Sequence, residues 1–438
     1  MFRPKIALIG AASLIFSVAV INDVSLNDAL QDSDLRLMDI NDPGLQLVGQ
    51  LARKLAQARG GRLKVSTTSE LGRALEGADF VVNAAAVAER NLWPLERDIA
   101  RRHGYWPSKG FRFQGLRNNP LALRIAQEME RYCPDAWLLQ HSNPMVGNVG
   151  AVSRYTRVRV AGFCHGVEHT VQRLARWMQV DRSALDVEAV GINHFLFISK
   201  WYRDARDAYA ELLEWNESAF PAVWETEDWK ESLDAPGPVS RDLCLRFGAF
   251  PCNGDEHMSD YFAWYTSSNE DRLRYRAKTD YLDRYLARGE ERWAQWSALA
   301  GASPADVAQA FKTRSGEAAA EVMAALCSPG QSYLVHVILP NHGAVPEPPW
   351  DSAVELPAVV TTDNIRALGE HHLTAAGAPH IARRLAEEEF AMTAALEGNR
   401  DLVYRALELD PYTRSTDQMA QYVKALADVN KEYLPWLS

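Results

Sequence analysis

The sequence has little cysteine. Of its 438 residues only five are cysteines: Cys133, Cys164, Cys244, Cys252 and Cys327, scattered and odd in number. That spacing excludes a disulfide framework and points to reduced thiols in a cytoplasmic setting. No stretch reaches the roughly 20 apolar residues that a membrane-spanning helix needs. The apolar run near the N-terminus is broken by Asn22 and Asp23, so it does not read as a signal peptide. A basic excess is also missing. The net charge is −10, which argues against a nucleic-acid partner and fits an enzyme that handles small molecules. There is no internal repeat and no low-complexity tract. The remaining composition is that of an ordinary globular protein, 47% hydrophobic and 24% charged. The chain is long enough for two domains, or for one large domain with an extension.

The first half alternates strand and helix patterns. Residues 5–10 form an unbroken apolar run, as buried parallel strands do. Gly10-Ala11-Ala12-Ser13 follows, then a helix to about residue 28, then a strand over 35–38 that ends at Asp39. This predicts a dinucleotide-binding βαβ unit. The pyrophosphate would sit at the helix N-terminus, where unbonded N–H groups and the dipole favour an anion. Asp39 would accept hydrogen bonds from the ribose hydroxyls, which favours NAD over NADP. Of the three glycines in the usual fingerprint only Gly10 is present, with Ala12 and Ile15 at the other two positions. A purely structural strand–turn–helix therefore competes with this reading. Further strands over 80–83, ending in Asn83, and over 136–140, leading into His141-Ser142-Asn143-Pro144, join helices over 70–76 and 120–132. The alternation predicts a doubly wound parallel sheet. Pro144 holds Asn143 extended, so its amide can point into a cofactor crevice; a plain Asn-Pro turn is the alternative. The loop over 104–115 carries Tyr105, Trp106, Lys109 and Arg112, a basic and aromatic set suited to closing over a sugar or an acidic substrate.

Gly162-Phe163-Cys164-His165-Gly166-Val167-Glu168-His169 reads as the end of a strand over 158–163 turning into a helix near residue 167. It places a thiol and two imidazoles at a strand's carboxyl end, where open α/β sheets bind ligands. Gly191-Ile192-Asn193-His194 repeats the arrangement. Cys164 and His194 are therefore a candidate metal pair, although each taken alone is more commonly a core residue. Regular alternation stops after His194. The expected organisation is a Rossmann-type domain over 1–195 and an α+β domain over 196–438. In the latter, Gly254-Asp255-Glu256-His257-Met258-Ser259-Asp260-Tyr261 concentrates acids, an imidazole and a phenol at a predicted helix start. A general base here competes with an ordinary acidic cap. A strand over 333–339 and helices over 316–326, 380–397, 400–408 and 416–429 complete the pattern. The last three offer a core and a subunit contact.

Taken together, these residues resemble glycoside hydrolase family 4, the NAD- and divalent-metal-dependent glycosidases with a lactate/malate dehydrogenase-like fold. The resemblance spans nearly the whole chain. It rests on residues 9–13, 37–40, 133–145, 162–167, 191–194, 257–261 and 339–345. It implies that Cys164 and His194 hold a manganese ion. Because thiolate is soft, iron, cobalt or nickel would also serve. NAD would lie on Gly10, Ala11, Ala12, Ser13, Asp39, Asn83 and Asn143. The implied route departs from the two-carboxylate glycosidase scheme. A hydride leaves the sugar's C3 for NAD⁺, a base takes the acidified C2 proton while the metal steadies the enediolate, and the glycosidic oxygen is eliminated. Water then adds at C1 and the hydride returns.

The resemblance also suggests roles. Tyr261 is the expected base, with Asp260 second; a phenol with an ordinary pKa near ~10 needs a neighbouring cation to act near neutral pH. His165 would protonate the leaving group. Asn143, His257, Arg112 and Lys109 would contact the substrate. Cys164-His165-Gly166-Val167 departs from the Cys-Asp-Met-Pro and Cys-Asn-Val-Pro of the sugar-phosphate branches and resembles the glucuronidase-type branch. An α-glycosidase for an unphosphorylated sugar follows, uronide ahead of neutral hexoside, with Lys109 or Arg112 facing the uronate. A homodimer or homotetramer is expected. Two rivals remain at this point. One is a lactate/malate-type dehydrogenase without metal; the other is a binding module that has lost turnover.

Overall fold

A computed structural model of the chain describes residues 3–14, 16–106, 111–232, 234–278 and 280–438, with the side chains of residues 111–113 excepted. Its first half runs β1 (Lys5–Ile9), α1 (Ser17–Leu26), β2 (Asp34–Met38), α2 (Asp42–Ala58), β3 (Lys64–Thr68), α3 (Leu71–Leu75), β4 (Phe80–Asn83), α4 (Glu89–Arg102), α5 (Phe111–Tyr132), β5 (Trp137–Gln140), α6 (Met145–Tyr155), β6 (Arg159–Gly162) and α7 (Gly166–Met178). The six strands are parallel, in the order β3-β2-β1-β4-β5-β6. Ile6, Ala7 and Leu8 of β1 are all fully buried. A strand with no polar face belongs in a sheet covered by helices on both sides, as the apolar run predicts. Helix α5 starts earlier than the expected residue 120, and Pro120 lies inside it. An interior proline removes one helical hydrogen bond. Packing of α5 against α6 and α16 (Ala378–Glu397) outweighs that loss.

The second half continues with β7 (Leu185–Ile192), β8 (Phe195–Arg203), β9 (Arg206–Asp207), α8 (Tyr209–Ser218), α9 (Glu227–Glu231), α10 (Pro238–Phe247), β10 (Pro251–Cys252), α11 (Asp255–Tyr261), α12 (Asn269–Arg274), α13 (Tyr281–Gly301), α14 (Pro304–Ala310), α15 (Ala319–Cys327), β11 (Tyr333–Pro340), β12 (Ala353–Thr361) and β13 (Asn364–Ala367). After α16 come α17 (Arg400–Glu408) and α18 (Thr416–Asn430). The same sheet extends past β6 as β11-β12-β7-β8-β10, now antiparallel. The boundary expected near residue 195 falls in the two-residue turn of the β7–β8 hairpin, where Ile192 pairs with Phe195. An antiparallel hairpin needs only two linking residues. The change of architecture therefore begins at β7, and the sheet runs through the turn.

The β11–β12 hairpin is inserted between β6 and β7. It meets each neighbour at a single residue pair, Gly162 with Ile338 and Gly191 with Glu355, while Ile338 and Glu355 pair with each other. Gly162 eases the contact with β11, and Gly191 lets β7 lie close against β8. A Cβ on Gly162 would lie 3.1 Å from the Ile338 Cβ, and one on Gly191 would lie 2.5 Å from the Phe195 carbonyl oxygen. Among the described residues no helix is long and apolar enough to cross a membrane.

A buried ionic cluster ties α18 to the first half. The Arg117 guanidinium on α5 donates to Glu96 on α4 and to Asn430 on α18, and Asn430 donates back to Glu96 at 3.0 Å. The side chains of Arg117 and Glu96 are 1% and 0% exposed. Removing one partner of such a pair leaves a buried charge uncompensated. E96A should therefore cost about 3–5 kcal/mol in urea unfolding. D98A, which removes only an exposed pairing with Arg97, should stay within about 1 kcal/mol.

Candidate functional site

The carboxyl ends of β1, β4, β5 and β6 and the β7–β8 turn open onto one cavity of about 650 Å³, a size suited to small ligands. At one end lies the loop after β1. Gly10 has φ +81°, and a Cβ there would stand 2.4 Å from the Ala85 nitrogen. Only glycine fits this approach of the loop to the end of β4. Gly10 and Ala11 donate their N–H groups to the Met38 carbonyl at 2.9 and 3.0 Å. Ala12 N–H donates to one Asp39 oxygen and Asn41 N–H to the other, both at 2.8 Å. Asp39 thus braces the β1 loop against the end of β2. Of the predicted loop residues, Ser13 lines the cavity, and Gly10, Ala11, Ala12 and Asp39 do not.

Asn83 does not line the cavity. It is 1% exposed; its amide donates to Gln140 Oε1 at 2.9 Å, and its oxygen accepts from Ala85 N–H at 3.1 Å. It holds the ends of β4 and β5 together. Asn143 does line the cavity, and its carbonyl accepts from the Asn118 amide at 2.7 Å.

Cys164 and His194 line the same cavity. Cys164 stands two residues beyond β6 and two before the start of α7, and the Gly166 N–H approaches its sulfur at 3.4 Å. His194 sits in the hairpin turn with φ +65°, a left-handed backbone that non-glycine residues seldom adopt. Between them lies Asn193, whose amide donates to Glu355 Oε2 at 3.4 Å and also reaches the Cys164 thiol. Burial pushes this thiol well above its ordinary value, and a bound cation reverses that by stabilising the thiolate. Burial also pushes Glu355 up to about 7. Among the described residues no group of three or more His, Cys, Asp and Glu side chains converges as a metal cage. An ion on Cys164 and His194 would have most of its coordination open to bound molecules.

The dense Asp255–Tyr261 helix is buried throughout, and its residues face different ways. Asp255 is a structural cap: its carboxylate accepts from the N–H groups of Gly237, Val239 and Ser240 at 2.8–2.9 Å. Glu256 faces Arg284 at 3.5 Å. His257 turns to the cavity. Its Nε2 lies 2.9 Å from Asp234 Oδ1, and its ring stacks on His194 with centroids 4.3 Å apart. Burial would raise the Asp234 carboxyl, but the facing His257 holds it well below the usual range. Asp260 and Tyr261 line a small adjoining pocket that shares Asn143 and His194 with the main cavity. The Tyr261 ring stacks on Phe195 at 4.1 Å, under the Arg384 guanidinium. Burial drives its hydroxyl up, and Arg384 opposes that.

His165, also in the cavity, has its Nδ1 3.0 Å from Glu317 Oε1. Burial pulls this imidazole down, but the bonded carboxylate outweighs it and holds His165 above the ordinary value. Glu317 is buried too, which alone would raise it; His165, with His141 and His169 nearby, holds it below the carboxylate range. His169 is pulled down to about 4 by burial beside His165. Sequence reasoning missed Glu317, Asp234 and Glu355, because each lies far along the chain from its partner and has no readable spacing to it. Lys109 lies outside the described residues, and so does the side chain of Arg112, whose backbone belongs to α5. The cations that do line the cavity are Arg173, Arg288 and Arg292.

Comparison with known proteins follows the same lines. An α-galactosidase of Bacillus subtilis is 25% identical, with 99% of each chain covered. An α-galacturonidase of Thermoanaerobacter italicus is 24% identical over 98% of this chain and 97% of its own. Among solved structures, a Bacillus subtilis protein assigned as a glucosidase superposes with a TM-score of 0.86 at 22% identity, covering 97% of this chain and 99% of that one. A 6-phospho-α-glucosidase from gut microorganisms, solved with NAD and Mn²⁺, gives 0.80 at 19% identity with 99% of each covered. A lactate dehydrogenase of Eimeria maxima gives 0.53 at 13% identity, covering 91% of this chain and 95% of that one. The expected dehydrogenase-like fold is therefore the one observed. Residues 5–180 match the family 4 glycosyl hydrolases and residues 189–413 match that family's C-terminal domain, so the chain belongs to glycosyl hydrolase family 4.

Proposed function

We propose that this chain is an NAD- and divalent-metal-dependent α-glycosidase of an unphosphorylated sugar, with uronides ahead of neutral hexosides. It would act by C3 oxidation, C2 deprotonation and elimination, followed by water addition and reduction. The observation that carries this reading is the meeting of one thiol and one imidazole, from two separate strand ends, in the cavity that the β1 loop borders. Bound NAD would supply a hydride acceptor and donor, and a bound manganese, iron, cobalt or nickel ion a Lewis acid.

The residues present fit both groups. Cys164 and His194 are a soft and a borderline donor on one cavity wall. Gly10 lets the loop after β1 pack against the end of β4, and Ser13 of that loop lines the cavity ahead of α1. In this reading Asn143 orients the sugar between the cavity and the adjoining pocket. Tyr261, with Asp260 beside it, takes the C2 proton; its phenol must be lowered by Arg384 and by the ion to do so at neutral pH. His165 keeps a proton for the departing glycosidic oxygen, with Glu317 orienting the ring. His257, fixed by Asp234, packs against the metal imidazole, as outer partners commonly do.

Relatives named α-galactosidase and α-galacturonidase match about equally well. The preference for a uronide rests on Cys164-His165-Gly166-Val167. Arg173, on the same helix face as His165 and His169, joins Lys109 and Arg112 as a candidate partner for the carboxylate. The enzyme would work in the cytoplasm as a homodimer or homotetramer. A plain dehydrogenase leaves Cys164 and His194 without a task and gives way to the family match.

Release from a panel of p-nitrophenyl glycosides tests the reading. Turnover of an α-linked uronide should require NAD⁺, Mn²⁺ and a reductant together, and no NADH should accumulate. Chelation should abolish it and added Mn²⁺ restore it. C164S and H194A should each lose on the order of 100-fold or more. Turnover that persists without metal, or net NADH without cleavage, would sink the proposal. Faster cleavage of the neutral α-galactoside than of any uronide would leave the mechanism standing and remove the substrate assignment.

A further inference from the structure

The cavity has a second cationic feature that the proposed chemistry leaves unused. Helix α13 crosses the β1 loop. Its residue 289 is a glycine, and a Cβ there would lie 3.4 Å from the Arg90 guanidinium and 3.7 Å from the Leu14 side chain. This face of α13 therefore lies in van der Waals reach of the loop and of Arg90. Its carboxyl end is tied down as well: Gln50 and Lys54 of α2 donate to the Ala300 carbonyl at 2.9 and 2.6 Å. Lysine at exposed helix carbonyls is a favourable C-terminal cap.

This docking sets Arg288 and Arg292, one helical turn apart, on the cavity wall with Ser13 and Phe16. Arg292 donates to the Leu14 carbonyl at 3.2 Å, one residue past Ser13. Arg288 is exposed at the rim and reaches only the Glu231 carbonyl, at 3.4 Å. Among the described residues neither makes an ion pair with a carboxylate. Like charges at i, i+4 repel, and burial together with Arg288 lowers Arg292 from its ordinary value. Two arginines one turn apart, neither ion-paired to a carboxylate, beside the turn where a dinucleotide's phosphates approach a helix N-terminus, are arranged for an anionic ligand. Guanidinium pairs suit phosphate in particular, because their planar forks match its oxygens.

We propose that Arg292, with Arg288 at the rim, binds the diphosphate of the dinucleotide, so that α13 closes the cofactor site from the C-terminal half of the chain. The inference rests on the reading that this chain binds NAD. Calorimetric titration of the full chain with NAD⁺, ADP-ribose and adenosine tests it. R292Q should weaken NAD⁺ and ADP-ribose about tenfold or more and leave adenosine unchanged. R292K should recover part of the loss. R288Q, at the exposed rim, should weaken both diphosphates severalfold with no change in Tm, which keeps the test open if R292Q folds poorly. Diphosphate affinities within about twofold of the unmodified chain in R292Q and R288Q would overturn the proposal alone. So would an unchanged NAD⁺ affinity with weakened binding of glucuronate, which would assign the pair to the sugar. No binding of NAD⁺ or ADP-ribose by the unmodified chain would overturn the cofactor reading along with it.

Discussion

One row of four residues holds the candidate site together: Gly162, Ile338, Glu355 and Gly191, each paired with the next across the sheet. Gly162 ends β6, the last of the parallel strands, Gly191 lies near the end of β7, and the antiparallel β11–β12 hairpin bridges the two through single pairs. Glycine suits both outer positions: a Cβ on Gly162 would crowd Ile338 of β11, and one on Gly191 would collide with the β8 backbone at Phe195 and Leu196. From Gly162 the chain needs two residues to reach Cys164, and from Gly191 three to reach His194. The bridge also delivers Glu355, whose carboxylate holds Asn193 between the thiol and the imidazole. The donors are thus positioned by strand pairing, which is rigid, and not by loops alone.

Around that row the charges are arranged in layers. Glu317 and Asp234 each back an imidazole that faces the cavity, His165 and His257 respectively. Both carboxylates are drawn down by the rings they face, against the effect of burial. Carboxylate–imidazole pairs of this kind fix the orientation of a ring and set which nitrogen carries the proton. Arg173, Arg288 and Arg292 line the same cavity, alternating with the carboxylates of Glu89, Glu227, Asp228 and Glu231.

The dinucleotide half was legible from the sequence because its signals are local. The β1 run is apolar without interruption, Gly10 and Asp39 fall at the right offsets, and each strand end carries a polar residue. Cys164 and His194 were legible for the same reason, as the polar residues just past two apolar strands. The bridge between them was not. β12 contains Glu355 and Pro357, which hide its strand pattern, and α13 carries Gly289 amid charged residues, which hides its helix. Partners such as Glu317 and His165, 152 residues apart, meet only through the fold. The stretch from Asp255 to Tyr261 shows the opposite failure. Its composition suggested one cluster, but helical geometry sends Asp255 to cap α10, Glu256 to Arg284 and His257 to the cavity. Asp260 and Tyr261 go to the neighbouring pocket.

The claim that Cys164 and His194 share one ion is tested most directly by titrating the metal-stripped chain with Co²⁺ and following its near-ultraviolet absorption. The account predicts a saturable thiolate-to-cobalt charge-transfer band at one ion per chain, absent in C164S and formed only at higher Co²⁺ in H194A. A chain that binds Co²⁺ without that band, or a band that survives C164S, would contradict it.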